Sequence, residues 1–215
     1  MDYRIVLIGV GHVFDIGEKI KDIILQEDPD AVAVELDYRR LEALLNPKKR
    51  KGRLSIYQIL ALSQSVIAKK FGVMAGGEML AAVKQAQDMM LPVICMDMDA
   101  LYVVNKLWKS LSIKNKMTIF FSLFFSLFMK KKMIEEEVSK MADGGFIEEI
   151  EKSMPELKKI LIDERNQYMC EKLIKNLDIY DKIVAVVGEG HIEGMKKILE
   201  QHTDIKVIHL KELIK

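Results

Sequence analysis

Arg4–Val13, RIVLIGVGHV, is an apolar, β-branched run that stops at Gly-Val-Gly-His, and Ile183–Ile192, IVAVVGEGHI, ends on the same Gly-x-Gly-His. Apolar runs of this length without polar alternation mark strands buried on both faces, the kind found in parallel sheets covered by helices. Ala31–Leu36 (AVAVEL), Leu91–Met96 (LPVICM), Lys182–Val187 and Ile205–Leu210 read the same way. Helical spacing fills the gaps. It runs over Phe14–Glu27, through Ile16, Ile20, Ile23 and Ile24, and stops at Asp28-Pro29-Asp30. It returns over Tyr38–Leu45 and Ile56–Phe71, and again from Gly76-Gly77-Glu78 through Met79, Ala82, Val83, Ala86 and Met90. Ser153-Met154-Pro155-Glu156 is a helix start, with Ser as cap, Pro near the first helical position and Glu behind it. That helix runs through Leu157, Ile160, Leu161, Tyr168 and Leu173, and another covers Glu193–Gln201 after a turn at Gly188–His191. Alternating strands and helices predict an α/β fold with a largely parallel central sheet flanked by helices and joined by right-handed crossovers.

The rhythm breaks between about 100 and 152, where no strand pattern occurs. The centre of this stretch is MTIFFSLFFSLFM, Met117–Met129, followed by Lys130-Lys131-Lys132. A helix of that length is roughly 20 Å long, short of the roughly 30 Å hydrocarbon core of a bilayer. The segment therefore reads as an inserted apolar helical hairpin or a homodimer contact, with a place on an anionic membrane surface as the other reading. The whole of 1–215 is then a single α/β domain carrying this excursion.

Composition narrows the function without naming it. The 33 basic and 32 acidic residues leave a formal charge of +1, which gives no case for nucleic acid. Five basic residues in PKKRKGR, Pro47–Arg53, read as a solvated loop. The 2 cysteines, Cys95 and Cys170, cannot make a disulfide framework, and the start MDYRIVLIGVGH has no secretion-signal pattern. Both observations point to a cytoplasmic protein, membrane-associated only if Met117–Lys132 meets lipid. The abundance of Lys, Glu and Ile suits a thermophile.

In open α/β sheets ligands bind outside the carboxyl ends of the strands. Both Gly-x-Gly-His turns deliver a histidine there, His12 and His191, and the other strand ends bring Glu35, Asp97 or Asp99, and Glu189. Two imidazoles and one or two carboxylates suit zinc, manganese or cobalt, with water activated at an open position. Spare carboxylates would orient the imidazoles or act as base. Glu78 reads either as a favourable charge at a helix start or as a site carboxylate. Asp163-Glu164-Arg165-Asn166 reads as the wet face of a long helix, and His202 and His209 as surface or packing residues. A dinucleotide site fits less well, because Phe14 stands where the third glycine of Gly9-x-Gly11 would fall, and the second Gly-x-Gly-His would go unexplained.

These residues together resemble the TraB/PrgY (pheromone shutdown) family, which is grouped with the Tiki proteases and, more distantly, with erythromycin esterase and the ChaN-like haem-binding proteins. The resemblance lies in Gly9-x-x-His12, AVAVELD with Arg39, Gly77-Glu78-Met79 leading into LAAVKQAQDMMLPVICMD, the Asp163–Asn166 helix, and Gly188-x-x-His191-x-x-Gly194-Met195. It covers roughly Val6–Asp99 and Met154–Ile198. It implies the α/β fold and, from the Tiki side, divalent-metal-dependent peptide cleavage. By position this carries over to His12, His191 and Glu35 for metal (manganese, cobalt or zinc), and to Glu35, Glu78 and Arg165 for catalysis. Members usually have Asp-Arg after the third strand; here Met98 follows Asp97, so that arginine's part falls to Arg39 or Arg165. Many members continue into membrane helices, whereas this chain reads as the soluble domain alone. The leading expectation is a metal-dependent, peptidase-like hydrolase in which Arg165 steadies an oxyanion. The alternative is a non-catalytic module that binds or sequesters a peptide or small-molecule ligand, or that regulates at a membrane surface. Haem binding through a histidine is a third reading.

Overall fold

The β-branched runs become strands β1 (Ile5–Val10), β2 (Ala31–Val34), β3 (Val93–Cys95), β4 (Ile183–Gly188) and β5 (Ile205–Ile208). They form a 5-stranded sheet in the order β3-β2-β4-β1-β5, parallel at every pairing. The structure, a computed structural model, describes residues 3–11, 14, 16–46, 76–110 and 155–214. His12, Asp15, the loop Pro47–Arg53, the helix expected over Ile56–Phe71, Met117–Lys132 and Ser153 lie outside the described residues.

The helices are α1 (Gly17–Glu27), α2 (Tyr38–Leu45), α3 (Gly77–Asp88), α4 (Ala100–Ser110), α5 (Pro155–Lys158), α6 (Glu164–Asn176), α7 (Glu189–Leu199) and α8 (Leu210–Leu213). A π-helical turn, Lys159–Asp163, joins α5 to α6. Strand period two sorts the core onto two faces. Val6, Ile8, Val32, Val34, Val184 and Val186 pack with Ile20 and Ile24 of α1 and Met79, Ala82 and Val83 of α3. Ile5, Leu7, Ala31, Ala33, Ile183 and Ala185 pack with Met169 and Leu173 of α6 and Ile192 and Met195 of α7. Helices that carry the chain from β1 towards β3 thus lie on one face, and those that carry it back towards β5 lie on the other. All crossovers then share one hand, as the right-handed rule requires.

Several boundaries differ from expectation. β5 stops at Ile208, because His209 caps the short helix α8 that begins at Leu210. β2 ends at Val34 because the Leu36 N–H turns back to the Val34 carbonyl (2.7 Å), a three-residue turn centred on Glu35. β3 is confined to Val93–Cys95 at the sheet edge. The Gly-x-Gly-His of β4 is no open turn: α7 starts at Glu189, directly after the strand, so His191 lies in the first turn of a helix.

Register aligns the strand ends. Val10 pairs with Gly188 and Val34 with Val186, which brings the residues after β2 and β4 side by side. Ile8 pairs with Ile208, which sets His209 level with Gly9.

Candidate site at the carboxyl edge of the sheet

Glu35 follows Ala31 and Ala33 in the period-two alternation, so its side chain falls on the face covered by α6 and α7. It is 8% exposed. Its Oε2 accepts the Gly188 N–H at 2.7 Å, and Oε1 accepts from Arg165 Nη2. His191 Nε2 lies 3.4 Å from the same Oε1. A methyl group on Gly188 would come 3.2 Å from Glu35 Oε2, so the glycine makes room for the carboxylate.

Arg165 is placed by the π turn, whose hydrogen bonds widen to the i→i+5 pattern, as from the Glu164 N–H to the Lys159 carbonyl. Arg165 Nη1 donates to the Leu161 carbonyl at 3.1 Å, and Nε and Nη2 grip Asp97 Oδ1 and Oδ2 at 2.9 and 2.8 Å. This is a two-pronged guanidinium–carboxylate pair, the strong form of the interaction. Asp97 also accepts the Met98 N–H (2.8 Å) and a second guanidinium, Arg40 Nη2. Arg40 is held in turn by Asp37, whose Oδ2 accepts from Arg40 Nε at 2.9 Å and whose Oδ1 caps α2 through the Arg40 N–H at 2.9 Å. The result is a run of alternating charge across the ends of β3, β2 and β4: Arg40, Asp97, Arg165, Glu35, His191.

His191 is 4% exposed, and its Nδ1 lies 2.6 Å from Asn166 Oδ1. An amide oxygen only accepts, so Nδ1 carries the proton and Nε2 faces Glu35. Nε2 and the Glu35 Oε1 thus face one another as two donor atoms suited to a shared metal ion.

The electrostatics agree with this geometry. Burial pushes the Glu35 carboxyl up, but His191, Arg165 and the Gly188 N–H together outweigh it and hold the group well below the usual carboxylate range. Burial likewise opposes the charge on Arg165, yet Glu35 and Asp97 raise its pKa further, so it is a permanent cation. Asp37 is lowered against its own desolvation by the Arg40 and Ala100 N–H groups and the Arg40 charge. Burial pushes the Cys170 thiol up to about 12 and raises that of Cys95, so neither is poised as a nucleophile.

The structure thus brings Glu35, Arg165 and His191 together, and adds Asp97. Glu78 is buried in the first turn of α3, on the opposite face of the sheet from α6 and α7. His12 lies outside the described residues. Asp99 stands apart, capping α4 through the Tyr102 N–H (3.0 Å). The arginines at Asp97 are Arg40 and Arg165; Arg39 is largely exposed and pairs loosely with Asp99 at 3.7 Å. The Asp163–Asn166 stretch is not a wet face throughout, since Arg165 and Asn166 turn inward while Asp163 stays exposed.

Sequence reasoning missed Asn166, Arg40 and His209. Asn166 had one signal, its place beside Arg165, and Arg40 had its spacing from the α2 cap, Asp37. His209 is no stray surface residue: its Nδ1 lies 2.7 Å from Glu189 Oε1, while Glu189 Oε2 accepts the Leu210 N–H at 2.9 Å. Glu189 passes over Gly9, where any Cβ would strike its carboxylate. Among the described residues, no group of three or more His, Cys, Asp or Glu side chains is arranged to hold a metal ion, and no helix is long and apolar enough to cross a membrane.

Comparison with known proteins places the chain in a family. The chain is 33% identical over 226 aligned positions to the uncharacterized protein MJ1365 of Methanocaldococcus jannaschii. The alignment covers 98% of this chain and 57% of that protein, so the chain spans little more than half of its relative's length. The sequence profile of the TraB/PrgY/gumN family matches residues 2–206, and the chain belongs to that family.

Proposed function

We propose that the carboxyl edge of β2, β3 and β4 is the centre of a divalent-metal-dependent hydrolase acting on peptides. The observation that carries this reading is the pair His191 Nε2 and Glu35 Oε1, two donor atoms facing one another at 3.4 Å. Two ligands about 2.0–2.2 Å from a tetrahedral ion stand at about this separation. The Asn166 bond to Nδ1 is the kind of outer contact that fixes a ligating imidazole. His191 and Glu35 would hold the ion, with His12 as the third candidate. The bound ion would supply Lewis acidity and a water of lowered pKa.

The parts of this chain's own residues follow from their bonds. Arg165 spends its N–H groups on Asp97, Glu35 and the Leu161 carbonyl, which supports a positioning part: it holds the Glu35 carboxylate in place and keeps it ionised. Asp97, gripped by two arginines, anchors Arg165 in turn. Glu78, in the first turn of α3 on the other face of the sheet, stands outside this group and is given no part in it.

The test is metal analysis and peptide hydrolysis on the purified chain, stripped and reloaded with manganese, cobalt or zinc, beside His191→Ala and a His12→Ala, His191→Ala double variant. Near-stoichiometric metal that disappears in the variants, together with hydrolysis, is the expected result. Equal metal content in all three proteins, or metal without hydrolysis of any peptide, would overturn the reading.

A further inference from the structure

Beside Asp97 lies a cleft of about 270 Å³, lined by Asp37, Tyr38, Cys95, Asp97, Tyr168 and Lys172 among others. This is slightly below the roughly 300–1,000 Å³ of sites that enclose a whole small ligand, and suits one end of a longer one. Its charges are unevenly used. Asp37 is taken by Arg40 and the Ala100 N–H, Asp97 by Arg40, Arg165 and the Met98 N–H, and Asp99 by Arg39 and the Tyr102 N–H. Lys172 differs. Its ammonium donates to the Cys95 carbonyl at 2.9 Å and lies 4.9 Å from the centre of the Tyr168 ring, and among the described residues no carboxylate pairs with it.

An ammonium has three N–H donors, so among the described residues Lys172 keeps donors and an unanswered charge inside a cleft whose acids are all engaged. The carbonyl and the aromatic ring hold it in place, so a ligand would not have to order a flexible chain. Tyr38 and Tyr168 give the cleft aromatic walls suited to an apolar side chain.

We propose that this cleft is a subsite for the C-terminal residue of a peptide, whose carboxylate accepts from Lys172 Nζ. The peptide class rests on the hydrolase reading above; the anion site rests on the Lys172 geometry alone.

The test is calorimetric titration of chelator-stripped protein with N-acetyl-Ala-Ala-Phe and with its C-terminal amide. One charge-assisted hydrogen bond makes the acid bind about tenfold or more tighter than the amide. Lys172→Met should abolish that preference, and Lys172→Arg should restore part of it. His191→Ala should leave it intact while removing hydrolysis, so the two proposals fail separately. Should Lys172→Met not fold, Lys172→Gln serves, and the acid–amide comparison on the unaltered protein still decides. Equal binding of acid and amide, binding of neither, or a preference that survives Lys172→Met overturns the proposal. So does displacement by inorganic phosphate at lower concentration than the acid peptide, which would assign the cleft to a phosphoryl group instead.

Discussion

A methyl group on Gly194 would strike the Asn166 amide, whose oxygen lies 2.6 Å from His191 Nδ1. The closeness of α7 to α6 at Gly194 therefore sets the orientation of the buried imidazole. Gly194→Ala, or Asn166→Ala, is expected to release the ring and weaken metal binding about 10- to 100-fold, as loss of an outer contact typically does. Metal titration with a competing chelator reads this. Unchanged affinity in Asn166→Ala would show that the amide has no part in orienting His191.

The Arg165 guanidinium joins two buried carboxylates, Glu35 and Asp97. Removing one partner from such a group leaves uncompensated charge, so Arg165→Met should destabilise the fold by about 3–5 kcal/mol. The triple variant Arg165→Met, Glu35→Gln, Asp97→Asn should recover part of that loss, because the stranded charges are gone. Chemical denaturation midpoints measure both. Additive losses across the series would mean that the three groups do not act as a unit.

Glu35 is ionised in the fold well below the usual carboxylate range. A depressed folded pKa contributes stability that is present above the unfolded value, about 4.3, and is withdrawn as the pH falls below it towards the folded value. The protein should therefore lose stability on acidification below about pH 4–5. Glu35→Gln should be less stable near neutrality yet lose less on further acidification. Urea midpoints across the acid range test this, and parallel slopes for the two proteins would contradict it.

Met90 ends α3 in the left-handed region, with φ 55°, and is 92% exposed. Its neighbour closes the helix, the Leu91 N–H bonding to the Ala86 carbonyl at 2.8 Å. A side chain at such a position costs about 1–2 kcal/mol that glycine avoids, less the extra freedom glycine gives the unfolded chain. Met90→Gly should raise stability by up to about 1 kcal/mol, seen as a higher thermal midpoint.

The strands were legible because their β-branched runs are too short for helices and are bounded by turn residues, and Glu35 and His191 were legible because each stands at the end of such a run. Arg40 and Asn166 were not legible. Both sit on helices, and which residue of a helix meets the site depends on register and crossing angle rather than on local pattern. The glycines around His191 suggested an open turn, whereas their small size serves neighbours: Gly188 accommodates Glu35 and Gly194 accommodates Asn166. His209 looked isolated because its partner, Glu189, is adjacent only through the pairing of β5 with β1.

The π turn at Lys159–Asp163 inserts one residue into what would otherwise be a continuous helix. One residue is about 100° of helical phase, so α5 enters rotated by about that angle relative to α6. Deleting a residue within the turn would leave Arg165, Asn166, Met169 and Leu173 in their own phase and would swing only what precedes them. The turn acts as a fixed phase offset: it sets the direction from which α5 joins the helix that carries Arg165 and Asn166.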